Sequence, residues 1–136
     1  MSFFFWVKLY LGTFAAFLII DMIWLGVIAK SFYAKHLGFL MRSRPNWAVA
    51  FIFYMIFIVG VLIFAVIPAK DTGSLGRAAL LGGLFGLFTY GTYDLTNWAT
   101  LKNWPPVVVF VDLAWGIILC GTVSVIGTLI AGALRS

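Results

Sequence analysis

Charge is scarce in this sequence, and negative charge is scarcest. Charged residues make up 10% of the 136 positions, and only four are acidic. An ordinary soluble domain carries ~25% charged residues, so a soluble globular class is excluded. There is one cysteine, Cys120, which rules out an intrachain disulfide and a cysteine-cluster metal site. Its apolar setting reads as packing. One histidine, His36, argues against a di-iron or bis-histidine haem centre. In its basic loop it reads as a surface residue. Short alternating segments are missing, which excludes a transmembrane β-barrel. No small-residue cleavage site follows the first apolar stretch, so that stretch is expected to stay as a first helix.

What the chain has in abundance is apolar length. Hydrophobic residues make up 64%, and the mean hydropathy is +1.12. Four stretches reach membrane-spanning length, over residues 3–29, 46–67, 77–101 and 107–133. The expected fold is an all-α membrane protein, a compact bundle of four transmembrane helices forming one domain over 1–136. Four spans put both termini on one side. Pro68 is expected to end the second span, and the "KNWPP" turn to open the fourth. The loop "SFYAKHLGFLM" reads either as an extension of the first helix or as an interfacial helix lying on headgroups. The net charge is +5, with the basic residues in loops and at helix ends. That placement suits membrane lipids as partners and argues against nucleic acid. The concentrated basic loop 30–45 favours the cytoplasm for the side away from the termini.

Three of the four acids fall inside spans: Asp21, Asp94 and Asp112. A carboxylate in hydrocarbon is costly, so each should face protein or water. At 1.5 Å per residue, Asp21 and Asp94 lie ~7–8 Å from their span midpoints and Asp112 ~12 Å, all towards the side away from the termini. Each has a tryptophan one turn on, giving Asp21/Trp24, Asp94/Trp98 and Asp112/Trp115, and that spacing puts each pair on one helical face. An aromatic belt explains Trp47 and Trp104 well and the other three only in part.

The third span carries the richest polar face, with Tyr90, Asp94, Asn97 and Trp98 at helical spacing. Above them, Gly82 and Gly86 form a GxxxG that lets a neighbouring helix approach, and the small residues of the fourth span make it the expected partner. The second span has Tyr54 as its main polar group and reads as a lipid-facing or scaffold helix. The candidate ligand-binding set is therefore Asp21, Trp24, Tyr90, Asp94, Asn97, Trp98, Asp112 and Trp115, centred on Asp94. The sequence assigns no catalytic residue, metal ligand or cofactor.

The stretches "IIDMIWLGVIAKSFY", "YGTYDLTNWATLKNWP" and "VDLAWG", in this order, resemble a bacterial integral-membrane family known as domain of unknown function 2177. The resemblance runs over essentially the whole chain. It implies a four-helix protein of the bacterial inner membrane and supplies no established activity. Three functions fit the residues. The first is binding or transport of a proton, a cation or a small cationic solute, with a homodimer expected for so small a unit. The second is a membrane enzyme acting on a lipid or isoprenoid. The third is a structural or assembly subunit of a larger membrane complex, with the acids as interhelical hydrogen-bond glue.

Overall fold

The computed structural model describes residues 2–135, and among these there is helix and no strand. Helix α1 runs Phe3–Ile23 and starts at Ser2, whose Oγ accepts the Phe5 N–H at 3.2 Å. This is an N-cap, satisfying one of the free amides that begin any helix. The helix then widens over Trp24–Ile28, where the Ala29 N–H reaches back five residues to the Trp24 carbonyl at 2.7 Å. Ala29 leaves helical geometry at φ −106 and ψ 4. The chain turns there into a separate short helix, α2, over Lys30–Leu37.

Helix α3, Trp47–Val61, is capped by Asn46, whose Oδ1 accepts the Val49 N–H at 3.2 Å. A second wide turn, Leu62–Val66, leads into α4, Ile67–Lys70. The helical rod thus continues through Pro68, past its expected end at residue 67. A proline ring inside a helix collides with the carbonyl four residues back. The wide turn opens the backbone at that place, so the rod survives its proline.

Helix α5, Leu75–Thr100, starts at Ser74, whose Oγ accepts the Arg77 N–H at 3.1 Å. A tight turn with Asn103 at φ 61 leads to α6, Pro106–Arg135. Asparagine tolerates that left-handed backbone better than most residues, and Pro106 opens the helix where its missing N–H costs nothing.

Three rods are long and apolar enough to cross a membrane: Phe3–Ile28, Trp47–Lys70 and Pro106–Arg135. Helix α5 has comparable length, 26 residues, but its second half carries Tyr90, Tyr93, Asp94 and Asn97, which lower its hydropathy.

Helices α5 and α6 lie antiparallel and make the most extensive contact in the molecule. A Cβ added at Gly86 would overlap the Gly116 carbonyl, and one at Gly82 would overlap Ser124. Backbones this close gain dispersion and interhelical polar contacts that larger residues would prevent. Helix α6 also runs along α1, where a Cβ at Gly127 would come within 3.1 Å of the Thr13 hydroxyl. Leu9, Phe17, Ile58, Val61, Leu119 and Val123 fill the core between α1, α3 and α6.

The two ends of the bundle differ. At one end Lys70 lies 5.7 Å over the Trp6 ring, and Arg135 Nη1 donates to the Lys70 carbonyl at 3.1 Å. The first turn of α1, the α4–α5 turn and the end of α6 meet there. At the other end α2 folds back on the start of α6, with Phe32, Tyr33 and Leu37 against Trp104, Val108 and Val109.

Candidate functional site

Asp21, Asp94 and Asp112 are all withdrawn from the surface. Asp94 is 0% exposed, Asp21 4% and Asp112 7%. Helix α1 turns Asp21 towards α3 and α6. Its Oδ1 accepts the Trp115 indole N–H at 3.2 Å, and its Oδ2 accepts the Tyr54 hydroxyl at 3.2 Å. Asp112, near the start of α6, accepts the Tyr33 hydroxyl of α2. That hydroxyl in turn accepts the Trp24 indole N–H at 3.2 Å. Trp24 and Trp115 stack with centroids 4.3 Å apart and planes at 9°. One chain of contacts therefore joins the two acids: Asp21 to Trp115, Trp115 on Trp24, Trp24 to Tyr33, Tyr33 to Asp112.

Burial, together with its bond to the Asp112 carboxylate, pushes the Tyr33 phenol up from its ordinary value. Tyr33 thus remains a neutral donor, and α2 is pinned over the end of α6 by it.

Asp94 sits behind this layer, beside Asp112 and the Trp104 indole. Neither of its oxygens has a hydrogen-bond partner among the described residues, and neither does the buried Trp104 N–H. Among the described residues, no basic side chain pairs with any of the three. The ion pairs among the described residues belong to Asp71, with Lys70 at 2.8 Å and Arg135 at 3.6 Å. Lys30 and Lys102, the nearest cations in the sequence, are both exposed.

Asp21 and Asp112 line a cleft of about 660 Å³. Trp24 and Trp115 form one wall with Tyr33 at its top, and Phe53, Tyr54 and Phe57 of α3 face Thr89, Tyr90 and Tyr93 of α5. Five of the eight residues expected from the sequence thus meet at one cleft: Asp21, Trp24, Tyr90, Asp112 and Trp115. Asp94 is behind its lining. Asn97 and Trp98 lie a turn further along α5, beyond the cleft. Trp98 is 43% exposed and meets the Phe110 ring at 6.1 Å.

Tyr33 and Tyr54 were not in the expected set. Tyr54 is the main polar group of the second span, and its hydroxyl gives α3 a direct part in the site. Tyr33 lies within the first stretch that carries the family resemblance. Trp104, expected in an aromatic belt, is buried and 5.8 Å from the Tyr93 ring. His36 packs on Phe32 at 4.7 Å and is outside the cleft lining.

Fold and site together define an all-helical membrane protein with a carboxylate-bearing aromatic cleft. The chain belongs to the family described as predicted membrane protein DUF2177, whose model matches residues 6–129. Neither the curated proteins nor the solved structures gave a match.

Proposed function

We propose that this is a four-span protein of the bacterial inner membrane, with both termini on one side, that binds a small organic cation in the cleft between Asp21 and Asp112. In this reading α5 is the fourth span, and its polar half is tolerated because Asp94 and Tyr90 face protein. Contacts of Trp6 and Arg135 with Lys70 support placing the two termini together.

One observation carries the reading. Three buried carboxylates have no basic partner among the described residues, and two of them edge a cleft walled by indole and phenol rings. Ionised carboxylates in so apolar a setting demand a counter-charge. Aromatic faces are attractive to a desolvated ammonium, and the cleft falls in the size range of small-molecule sites. A metal ion suits the site less well. Among the described residues no group of three or more His, Cys, Asp or Glu side chains is arranged to hold one.

The test is titration of the purified protein, held in amphipol, with tetramethylammonium, read by tryptophan emission and calorimetry. Saturable binding is expected, weakened ~10-fold or more in Asp21→Asn and in Asp112→Asn, since each removes charge of the size of a buried ion-pair partner. Neopentane, the neutral isostere, should not compete. Competition by the neutral compound, or unchanged affinity in both variants, would remove the cation from the reading.

A further inference from the structure

The cleft has one side that is not closed by protein. Helices α1 and α3 meet through Phe17 and Tyr54, α5 and α6 through their glycines, and α6 and α1 through Gly127 and Thr13. Helices α3 and α5 meet differently. Their ring contacts lie at the floor of the cleft and below it: Phe57 meets Tyr90 at 6.4 Å, Phe85 packs on Phe57 at 5.3 Å and on Phe64 at 5.9 Å, and a Cβ at Gly60 would come 2.9 Å from the Phe85 ring. Towards Asp21 and Asp112 the two helices part. Phe53 on one and Tyr93 on the other both line the cleft, yet they are 53% and 58% exposed. In a bilayer, that exposed side faces acyl chains.

The surfaces of this opening are largely apolar. Ala50 and Phe53 form its α3 edge. On the α5 edge, Thr89 turns its hydroxyl onto its own helix, donating to the Phe85 carbonyl at 2.8 Å, which leaves the Tyr93 phenol as the polar group on that edge. The inner end of the cleft is the opposite, with two carboxylates, two hydroxyls and two indoles. A further buried carboxylate, Asp94, without a hydrogen-bond partner among the described residues, stands beside Asp112. A site of about 660 Å³ is also more than a bare ammonium head needs.

From this we infer that the ligand is a single-chain cationic amphiphile, its ammonium head between Asp21 and Asp112 and its hydrocarbon chain leaving for the bilayer between α3 and α5. The inference rests on the cation reading above and adds the ligand class and its route of entry. Charge complementarity places the head. The lateral opening places the tail, because an apolar chain in that gap exchanges one hydrocarbon neighbour for another, whereas water there would face phenylalanine.

The experiment compares two probes on the amphipol-held protein: tetramethylammonium and dodecyltrimethylammonium. Dodecanol serves as the uncharged chain. Dodecyltrimethylammonium is expected to bind ~100-fold more tightly than tetramethylammonium, a gain that a few buried methylene groups supply. That ratio should collapse towards one in Thr89→Trp and in Ala50→Trp, which fill the opening from its two edges. Using both guards against one variant failing to fold. Equal affinity of the two cations in the wild-type protein would overturn the chain route while leaving the cation site standing. A ratio that survives in both tryptophan variants would overturn it too. Binding of dodecanol as tightly as dodecyltrimethylammonium, or of neither cation, would overturn the cation site and the inference together.

Discussion

The Trp115 indole of α6 donates to the Asp21 carboxylate of α1 at 3.2 Å, although Trp115 lies one turn from a carboxylate of its own helix, Asp112. The bond ties the first and last long helices together at the level of the cleft. It also leaves Asp112 free for Tyr33, so that α2 is drawn over the same place.

This crossing makes Trp115 and Trp98 unequal, though both stand one turn after an aspartate. Trp115→Phe keeps a ring to stack on Trp24 and removes the donor. It should cost on the order of 1 kcal/mol in thermal unfolding, the scale of a single hydrogen bond within a membrane bundle, and should weaken tetramethylammonium binding. Trp98→Phe removes a donor 43% exposed on the outer face and should change neither. Parallel melting and titration of the two variants checks this. Equal losses in both would mean that the tryptophans act as a belt.

A second prediction concerns the α5–α6 seam. A Cβ at Gly86 would overlap the Gly116 carbonyl, which belongs to backbone and cannot rotate away. Gly86→Ala should therefore cost about 2–3 kcal/mol, as overpacking of a closed contact does. Gly26, in the wide turn of the first rod, has nothing within 4 Å of its would-be Cβ. Gly26→Ala should stay within ~0.5 kcal/mol of wild type, as uncrowded substitutions do. A melting series on both variants decides whether the close approach is as tight in solution.

Much of this was legible beforehand, and the failures have physical causes. Apolar runs of bilayer length showed the rods, and Gly82 and Gly86 showed which pair of helices would touch most closely. Counting 1.5 Å steps put Asp21, Asp94 and Asp112 in the same half of the bundle, and Asp21 and Asp112 share one cleft with Asp94 beside Asp112. Spacing on one helix says which residues share a face, though, and nothing about which partner that face will meet. Asp21 and Trp24 share a face, yet each takes its hydrogen bond from or gives it to another helix. Tyr33 was hidden because a bend at Ala29 returns α2 to the bundle, and no periodicity announces a bend. Asp94, read as the centre, lies behind the cleft because the glycine seam draws that face of α5 against α6.

At the opposite end of the bundle the prediction is one of pH. The hydrogen bond from Lys70, followed by its charge and that of Arg135, holds the Asp71 carboxyl below its ordinary value of 3.8. The native state therefore takes up that proton less readily than the unfolded chain. The contribution is complete above the unfolded value and is lost as pH falls through the lower native one. Asp71 is exposed, so the effect is small and weakened by salt. The expected result is a slight melting difference between wild type and Asp71→Asn that holds from about pH 7 to pH 5 and closes below about pH 4. A difference that instead grew on acidification would mean that Asp71 is not held by Lys70.

The strongest prediction belongs to Asp94. Its two oxygens are buried beside Asp112 with no hydrogen-bond partner among the described residues, and an unpaired buried polar group costs about 1–3 kcal/mol or more. Asp94→Asn keeps the shape, removes the charge and supplies an N–H that can reach the Asp112 carboxylate. The variant should unfold at a higher temperature than wild type in the absence of any cation. The gain should shrink in an Asp112→Asn background, because much of the strain is shared between the two carboxylates. Leucine at this position would relieve the charge without offering a donor, so Asp94→Leu should gain less than Asp94→Asn. A lower melting temperature in Asp94→Asn would show that the carboxylate is a structural tie. Asp94 would then drop out of the unpaired charge that calls for a cation, and the case for a ligand would rest on Asp21 and Asp112 alone.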